Sequence, residues 1–435
     1  MILKNSNLSG IQNLTGFIKC NFLTIVELQG FSTRVIHTGF AKKDPNNPLQ
    51  MPIYSNAAFE FDSAEQMELA FQGKSPAHAY SRISNPTVEH FENRFRSITG
   101  ALGVTAVSSG MAAISNVFFT IVKAGDNIIT SKYLFGNTYS FLTSTLLPFG
   151  VETRFCDLTD PEDVARKIDK NTVAIFLETI TNPQLEIADL IALSEVAKVY
   201  NILLIADTTL TPPNIFKASS FGINIEVISS TKIISGGATS MGGLIIDYGT
   251  FEWEHSRKLS EQVKRFGPYA FNARLRREIH RNLGACMSPY TAYLQGIGLE
   301  TISLRFERAA VNCMQLAEYL QTEKKIVAVN YPGLKNSGFY HIGQKQFGNY
   351  PGAILTFNFG TRIECFEFLN KLKIISRATN INDNRSLIVH PASTIFCDYD
   401  RETLKSIGVS ETLIRLSAGI EFINDLVNDI KEALN

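Results

Sequence analysis

At 435 residues the chain is long enough for about two or three domains, and its 45% hydrophobic content with a mean hydropathy of +0.02 is typical of an ordinary globular protein. The 41 basic and 41 acidic residues balance, so charge gives no reason to expect nucleic acid or an anionic membrane as a partner. A small-molecule ligand is therefore the better expectation.

The N-terminal segment, residues 1–29, has only Lys4 near its start and no clear small-residue cleavage site. This composition favours a disordered extension or an over-long gene start over a targeting peptide. No apolar run in the sequence reaches the roughly 20 residues that a membrane helix needs. The cysteines lack CxxC spacing, which favours reduced thiols in a cytoplasmic protein over disulfides or a zinc site. They are Cys20, Cys156, Cys286, Cys313, Cys365 and Cys397.

Short β-type runs alternate with helical stretches between residues 103 and 243, and this alternation predicts βαβ units with a mostly parallel sheet. The sequence thus predicts an α/β fold whose large domain covers residues 85–283. The predicted strands are 104–107, 127–130, 173–177, 202–206 and 227–230.

The pattern changes after Pro289, where residues 290–323 form a long helical stretch with apolar positions three and four residues apart. A strand is predicted near residues 353–359 and a terminal helix near residues 424–434. These elements predict a smaller α+β domain over residues 284–435.

The strand predicted at residues 104–107 leads into a tight turn and a helix start. The amides of Gly110 and Met111 would point at an anion near that helix N-terminus, which would make a phosphate cup. Simple capping of the helix by Ser109 explains the same pattern equally well. By itself this motif leaves both interpretations open.

Lys232 ends a Ser-Ser-Thr-Lys run, residues 229–232, which follows a short β-type segment and precedes two glycines. A lysine in such surroundings can be both a Schiff-base amine and the neighbour of a bound phosphate. Asp207 directly follows the predicted strand 202–206, so its carboxylate would emerge where α/β proteins place ligands. Each residue alone has an ordinary explanation, as a solvated loop lysine or a turn aspartate.

Together, the lysine and the aspartate suit pyridoxal 5′-phosphate (PLP). An aspartate opposite the pyridine nitrogen would keep it protonated, and the pyridinium is the electron sink that stabilises a carbanion at the substrate α-carbon. Ser229 and Thr231 could donate hydroxyls to the phosphate. The glycine run at 236–243 lacks the Lys-Ser or Lys-Thr of a nucleotide P-loop, and no H-E-x-x-H pair occurs, so nucleotide and metal sites are unsupported.

Four motifs resemble the Cys/Met-metabolism PLP-dependent enzymes: YSRISNPT at 80–87, SSGM at 108–111, ETITNP at 178–183, and SSTK at 229–232 with Asp207 upstream. The resemblance covers roughly residue 33 to the C-terminus. It implies the PLP-dependent transferase fold type I. Within the family, the chain is most similar to the O-acetylhomoserine sulfhydrylase branch, in the stretches GGLIID at 242–247, FEW at 251–253, FGPYAF at 266–271 and GLETISLR at 298–305.

The resemblance also implies site residues. Lys232 would be the Schiff-base lysine and general base, Asp207 the pyridinium partner, Arg415 the binder of the substrate α-carboxylate, and Asn380 a residue of the same pocket. Tyr80 and Arg82 would reach the site from a neighbouring subunit, with residues 30–84 as the arm, in a dimer at least and commonly a tetramer. Further cofactor contacts are implied for Asn182 on the ring-hydroxyl side, for Thr209, and for Gly110, Met111, Ser229 and Thr231 at the phosphate.

The chain departs from the family pattern at three places. Phe135 stands where most members have a tyrosine stacked on the cofactor ring, so the stacking face remains but the proton-relaying hydroxyl is lost. Thr208 replaces an asparagine after Asp207, and Gly236-Gly237 replaces Gly-His after the lysine. These changes are compatible with an active enzyme but bear on its reaction specificity.

The expected activity is PLP-dependent γ-replacement on O-acetylhomoserine by sulfide or a thiol, giving homocysteine or methionine plus acetate. A methionine or cystathionine γ-lyase, or a cystathionine γ-synthase, would share the cofactor site and differ in leaving group or nucleophile. A catalytically silent, PLP-binding family member is the alternative outside enzymes, motivated by Phe135 and Thr208.

Overall fold

The computed structural model describes residues 30–40 and 44–435, so the predicted extension at residues 1–29 lies outside the described residues. Strands and helices alternate through the first two thirds of the described chain. The strands are β1 (Gly103–Val107), β2 (Asn127–Thr130), β3 (Glu152–Phe155), β4 (Thr172–Glu178), β5 (Leu203–Asp207), β6 (Ile225–Ile228), β7 (Gly243–Asp247), β8 (Ala328–Asn330), β9 (Ile354–Asn358), β10 (Ser376–Arg377), β11 (Leu387–Val389) and β12 (Leu413–Ser417).

The helices cover the faces of the two sheets that these strands form. Among the described helices, none has the length and apolar character to span a bilayer. The α-helices are α1 (Phe31–His37), α2 (Ala64–Phe71), α3 (Pro86–Thr99), α4 (Gly110–Ile121), α5 (Gly136–Ser140), α6 (Pro161–Lys167), α7 (Leu190–Val199), α8 (Ser260–Phe266), α9 (Ala270–Arg274), α10 (Arg281–Leu283), α11 (Pro289–Glu300), α12 (Ile302–Thr322), α13 (Tyr340–Phe347), α14 (Arg362–Lys371), α15 (Arg401–Ser406) and α16 (Ile423–Leu434).

The large sheet has the strand order β1-β7-β6-β5-β4-β2-β3. Strands β2 to β6 pair in parallel, and β7 is antiparallel to both of its neighbours. Successive apolar residues bury on opposite faces, as Ile128 and Ile129 do in two different core clusters. The prediction of a mostly parallel sheet is confirmed.

The smaller sheet has the order β10-β11-β12-β9-β8 and is antiparallel except for the short β10–β11 pair. Its core contains apolar residues of α12, α14 and the terminal helix α16. The strand predicted near 353–359 is β9, and the predicted terminal helix is α16, so the α+β character of this part is also confirmed.

The helical stretch predicted at 290–323 is two helices, because the chain leaves the helical conformation at Thr301 (φ −109°, ψ 9°). A tertiary contact that local periodicity does not report lies beside the break. A Cβ atom at Gly298 would lie 2.1 Å from the carbonyl oxygen of Ile234, so the end of α11 packs directly on the chain that follows Lys232. Arg305 fixes this contact by donating to the carbonyl oxygen of Ile233 (2.6 Å).

Helix α12 runs from one core to the other. Its first turns, with Ile302 and Phe306, pack with large-domain residues such as Phe95, whereas its later residues, such as Leu316, pack in the core of the small sheet. Helix α11 packs on α3 of the large domain. We therefore propose a domain boundary inside α12, in place of the predicted one at residues 283/284.

Candidate active site

Asp207 is the last residue of β5 and lies beside Glu178, the last residue of β4. Its Oδ1 atom accepts hydrogen bonds from the backbone amide (2.9 Å) and the hydroxyl (2.5 Å) of Thr209. Burial raises the pKa of Asp207, and the two bonds from Thr209 oppose that shift. Within the described residues, Asp207 makes no ion pair and its Oδ2 atom accepts no hydrogen bond. Its carboxylate is therefore free to pair with an external cationic group.

Helix α4 starts at Gly110, immediately after the loop that leaves β1. The Ser109 hydroxyl caps the helix by accepting from the amide of Ala112 (3.0 Å), which leaves the first two amides, of Gly110 and Met111, without a preceding carbonyl. Capping and an anion site are thus compatible here. A Cβ atom at Gly110 would lie 2.6 Å from the Cβ of Ser229, so the helix start and the serine form one close-fitting cradle.

The Ser-Ser-Thr-Lys run is tied to Asp207 through Thr209, whose hydroxyl accepts from the amide of Ser229 (2.9 Å). The Thr231 hydroxyl accepts from the amide of Gly242 (3.0 Å) and contacts its carbonyl oxygen (3.2 Å). Thr231 is therefore already engaged within the chain. Among the described residues of this run, the buried hydroxyl without a hydrogen-bond partner is that of Ser230, whereas Ser229 is half-buried.

Lys232 donates from Nζ to Oδ1 of Asn380, at 2.8 Å. This contact joins the large domain to the small one across 148 positions of sequence. Burial lowers the pKa of Lys232, and the charge of Arg415 lowers it further, while Asp383 has the opposite effect. A lowered pKa favours the neutral amine, which is the form that acts as nucleophile or base.

Arg415 lies in the middle of β12 and is only 2% exposed. It donates to Oδ1 of Asn182 (3.2 Å) and to the carbonyl oxygen of Thr379 (3.2 Å), whereas its Nε atom has no partner among the described residues. Burial lowers its pKa to about 10. No carboxylate of the described chain pairs with this guanidinium, so it presents a buried positive charge to a ligand.

Glu178 had no role in the sequence-based prediction, although it lies within the ETITNP motif. Its Oε1 atom accepts from the amide of Phe135 (2.6 Å), and its carboxyl also accepts from the backbone of Asn182. Burial and the neighbouring charge of Asp207 raise the pKa of Glu178 to about 8. The carboxyl group of Glu178 thus binds the backbone of two predicted site residues. The sequence feature that could have indicated this role is an acidic residue at a strand end beside Asp207.

Tyr80 and Arg82 contact each other, with the guanidinium 5.5 Å from the ring centroid. Arg82 also donates to the carbonyl oxygen of Arg281 (2.5 Å). Neither residue makes a described hydrogen bond or ion pair with another predicted site residue. Their action on a neighbouring subunit stays a prediction.

The Thr208 side chain, which departs from the family pattern, has a hydrogen-bond partner that the sequence did not reveal. The Thr208 hydroxyl donates to the carboxyl group of Glu226 on β6, which also accepts from the hydroxyl of Tyr248. Glu226 is 1% exposed, and burial raises its pKa to about 7. Thr208 therefore belongs to a buried network behind the strand end that carries Asp207.

Comparison with known proteins places this site in a family. The family model described as "Cys/Met metabolism PLP-dependent enzyme" matches residues 32–435. The O-acetyl-L-homoserine sulfhydrylase of Corynebacterium glutamicum is 36% identical over 423 residues, which is 92% of this chain and 96% of that protein. An L-methionine gamma-lyase of Fusobacterium nucleatum is 34% identical over 407 residues, covering 93% of this chain and 98% of the other.

Two solved structures are also similar. One, from Campylobacter jejuni, contains N′-pyridoxyl-lysine-5′-monophosphate and matches with a TM-score of 0.86 and 30% identity, over 93% of this chain and 99% of that one. The other, the O-acetylhomoserine sulfhydrylase of Wolinella succinogenes, matches with a TM-score of 0.73 and 45% identity, over 81% of this chain and 99% of that one.

Fold and site together define a PLP-dependent enzyme of fold type I. Asp207 without an ion-pair partner, the Gly110 cradle and the Lys232 amine fit the ring nitrogen, phosphate and aldehyde of that cofactor. The chain belongs to the Cys/Met metabolism PLP-dependent enzyme family. The predicted family, fold class and cofactor are confirmed.

Replacing Gly110 with alanine tests the cradle. The added Cβ would force apart the start of α4 and Ser229. We therefore expect PLP to bind about 10- to 100-fold more weakly, which corresponds to the loss of one charge-assisted hydrogen bond. Titration of the cofactor-free protein with PLP measures the affinity. Gly338→Ala is the matched control, because a Cβ atom there has nothing within 4 Å. Equal affinities for the two variants would contradict a phosphate site at Gly110.

Replacing Glu226 with glutamine tests the buried acid. The folded-state pKa of about 7 lies above the ordinary 4.5, so the carboxyl contributes fully below pH 4.5 and its contribution is lost as the pH rises towards 7. We expect the Tm of the parent protein, relative to Glu226→Gln, to fall between pH 4.5 and about pH 7 and to level off at higher pH. The exposed Glu261→Gln serves as control. A Tm difference that stays constant with pH would refute the raised pKa.

Proposed function

We propose that the protein catalyses γ-replacement on O-acetylhomoserine, with sulfide or a thiol as nucleophile, and releases acetate with homocysteine or methionine. The observation that carries this proposal is a linked set of contacts in a chain similar to O-acetylhomoserine sulfhydrylases over nearly its whole length. Lys232 contacts Asn380 and lies within the influence of the Arg415 charge, and Asp207 is tied to the 229–232 run through Thr209. Homoserine esters match this arrangement because they offer an α-carboxylate for Arg415 and an α-proton for Lys232.

The residues that would hold the cofactor lie at or after the ends of five strands, β1, β2, β4, β5 and β6. Lys232 would carry it covalently, Asp207 would pair with its ring nitrogen, and the amides of Gly110 and Met111 with the Ser229 hydroxyl would take its phosphate. Asn182 would lie on the ring-hydroxyl side, and Phe135 would stack on the ring. When bound, PLP supplies an electron sink for negative charge at the substrate α-carbon. Thr209 and Thr231 would act by fixing Asp207 and the 229–232 run, given their contacts within the chain.

The chain's own groups account for the proton transfers. Arg415 would hold the substrate carboxylate with a fork of parallel donors, which orients the α-C–H bond. The Lys232 amine would remove the α-proton and then assist removal of a β-proton. The Cγ–O bond then breaks to release acetate, and a Cγ–S bond forms with sulfide or thiol. Phe135 leaves these transfers to Lys232, because it has no hydroxyl.

We also propose a homo-oligomer with shared active sites, a dimer at least and a tetramer in the full assembly, in the cytoplasm. Residues 30–84 would form the arm that brings Tyr80 and Arg82 to a neighbouring site. Two features support this assembly: Tyr80 is 43% exposed, and helix α2 buries none of its residues in the described chain although it carries Met67 and Phe71.

The similarity to a methionine γ-lyase supports one second candidate, elimination without an added sulfur nucleophile. Incubating the holoenzyme with O-acetylhomoserine and sulfide, and separately with methionine or cystathionine alone, distinguishes the two. Homocysteine and acetate in equal amounts from the first mixture support γ-replacement. Breakdown of methionine or cystathionine, with the ester untouched, would assign a lyase. A cofactor-loaded protein that is inert in every mixture would point to a silent family member.

Replacing Lys232 with alanine removes the covalent anchor and the base. We expect loss of turnover and of the visible absorption band of the lysine-bound cofactor. Absorption spectra and product release measure the two effects, and the exposed Lys198→Ala serves as the control. Near-normal turnover by the Lys232 variant would contradict the proposed mechanism.

Replacing Arg415 with lysine keeps the charge but removes the planar fork of donors. We expect KM for the amino-acid substrate to rise about 10- to 100-fold, which corresponds to the loss of one hydrogen bond to a charged group. The absorption band of the bound cofactor should be retained. Steady-state kinetics measure KM, and the half-exposed Arg362→Lys is the control. An unchanged KM would rule out Arg415 as the carboxylate binder.

A further inference from the structure

We infer that Asp383 is a positioning residue that acts on Lys232 through the side-chain amide of Asn380. The inference rests on the role proposed above for Lys232. The three side chains form a continuous chain of hydrogen bonds: Lys232 Nζ donates to Asn380 Oδ1 (2.8 Å), and Asn380 Nδ2 donates to Asp383 Oδ2 (2.9 Å). Asp383 is 4% exposed, so water does not substitute for these bonds.

The direction of the chain follows from the donor and acceptor inventory of its members. A carboxylate only accepts hydrogen bonds, so Asp383 obliges the Asn380 amide to turn its NH2 group towards it. The amide oxygen is then left facing the Lys232 amine, which is a donor. A neutral side chain in place of Asp383 would not impose that choice, and the amide could present its NH2 group to the lysine instead.

Two further hydrogen bonds fix the loop that holds Asp383. Asp383 Oδ1 accepts from the amide of Arg385 (3.1 Å), and the amide of Asn382 donates to the Ser417 hydroxyl (2.8 Å) at the end of β12. Asn382 has a positive φ of 50°, a left-handed conformation that asparagine adopts more readily than most residues other than glycine. A turn held in this way keeps the carboxylate aimed at Asn380.

The charges around the amine act in opposite senses. Arg415, from β12, disfavours a charged Lys232, and Asp383 favours it. Arg305, from α12, and Arg385, from the same loop, are the cations that face Asp383. Loss of the Asp383 charge would therefore leave Lys232 beside Arg415 without its nearest opposing carboxylate, and protonation at the Lys232 nitrogen would become harder.

The test compares the PLP-loaded parent enzyme with Asp383→Asn and with the exchange variant N380D/D383N. The exchange moves the carboxylate next to the Lys232 amine and keeps every hydrogen bond of the chain, because the amide at position 383 can donate to position 380 and accept from the Arg385 backbone. A pH titration of the cofactor's absorption spectrum reports protonation at the Lys232 nitrogen, and kcat and KM are measured separately. The exposed Asp425→Asn is the matched control.

We expect Asp383→Asn to lower kcat on the order of 10- to 100-fold with little change in KM, and to move the spectroscopic midpoint to lower pH. The exchange variant should recover most of kcat and move the midpoint above that of the parent. A purely structural role for Asp383 predicts no such reversal.

An unchanged midpoint in Asp383→Asn would overturn the inference, and so would an exchange variant that folds and binds PLP normally but stays as slow as the single variant. If the parent itself fails to convert O-acetylhomoserine, the proposed function fails. The midpoints still decide the role of Asp383 in that case, because they require only the bound cofactor.

Discussion

Buried charge where the two sheets meet is the constraint on which the rest of the site depends. Arg415 is buried and Asp207 is partly buried, and neither has an ion-pair partner in the described chain. Removing a charged group such as Arg415 from water costs free energy unless a partner offsets that cost. Under the proposed function, a cationic ring nitrogen would pair with Asp207 and an anionic substrate with Arg415. Ligand binding and the stability of the fold would then be linked through the same residues.

The geometry of the site depends on how the two cores sit together. Lys232 belongs to the large domain and Asn380 to the small one, and Arg415 reaches across to Asn182. Helix α12 passes through both cores, and its residue Arg305 donates a hydrogen bond to the carbonyl oxygen of Ile233, the residue after Lys232. Because misplacement by about 1 Å can cost about 100-fold in rate, packing along α12 matters for chemistry as much as for stability.

Sequence patterns predict the elements well where the cause is local. A strand of apolar residues ending in Asp207, and a small-residue run ending in Lys232, follow from hydrophobic runs and turn chemistry. The break at Thr301 and the chain from Lys232 to Asp383 do not, since both depend on residues that are distant in sequence. Glu178 lies in the ETITNP motif, but the motif does not predict its role, because that role consists of hydrogen bonds from the backbone amides of two other residues.

The departures from the family pattern separate into two kinds once the contacts are known. Thr208 uses its hydroxyl on Glu226, which also binds Tyr248, so this change belongs to the buried support of the strand end and does not face the reaction. Phe135 is a different kind of change, because it replaces the tyrosine that the family pattern has at the position predicted to stack on the cofactor ring. Its backbone amide donates a hydrogen bond to Glu178. A stacking face survives without a hydroxyl. Under the proposed function Lys232 would carry out both proton transfers alone, so the orientation of its amine would bear most directly on the choice between replacement and elimination.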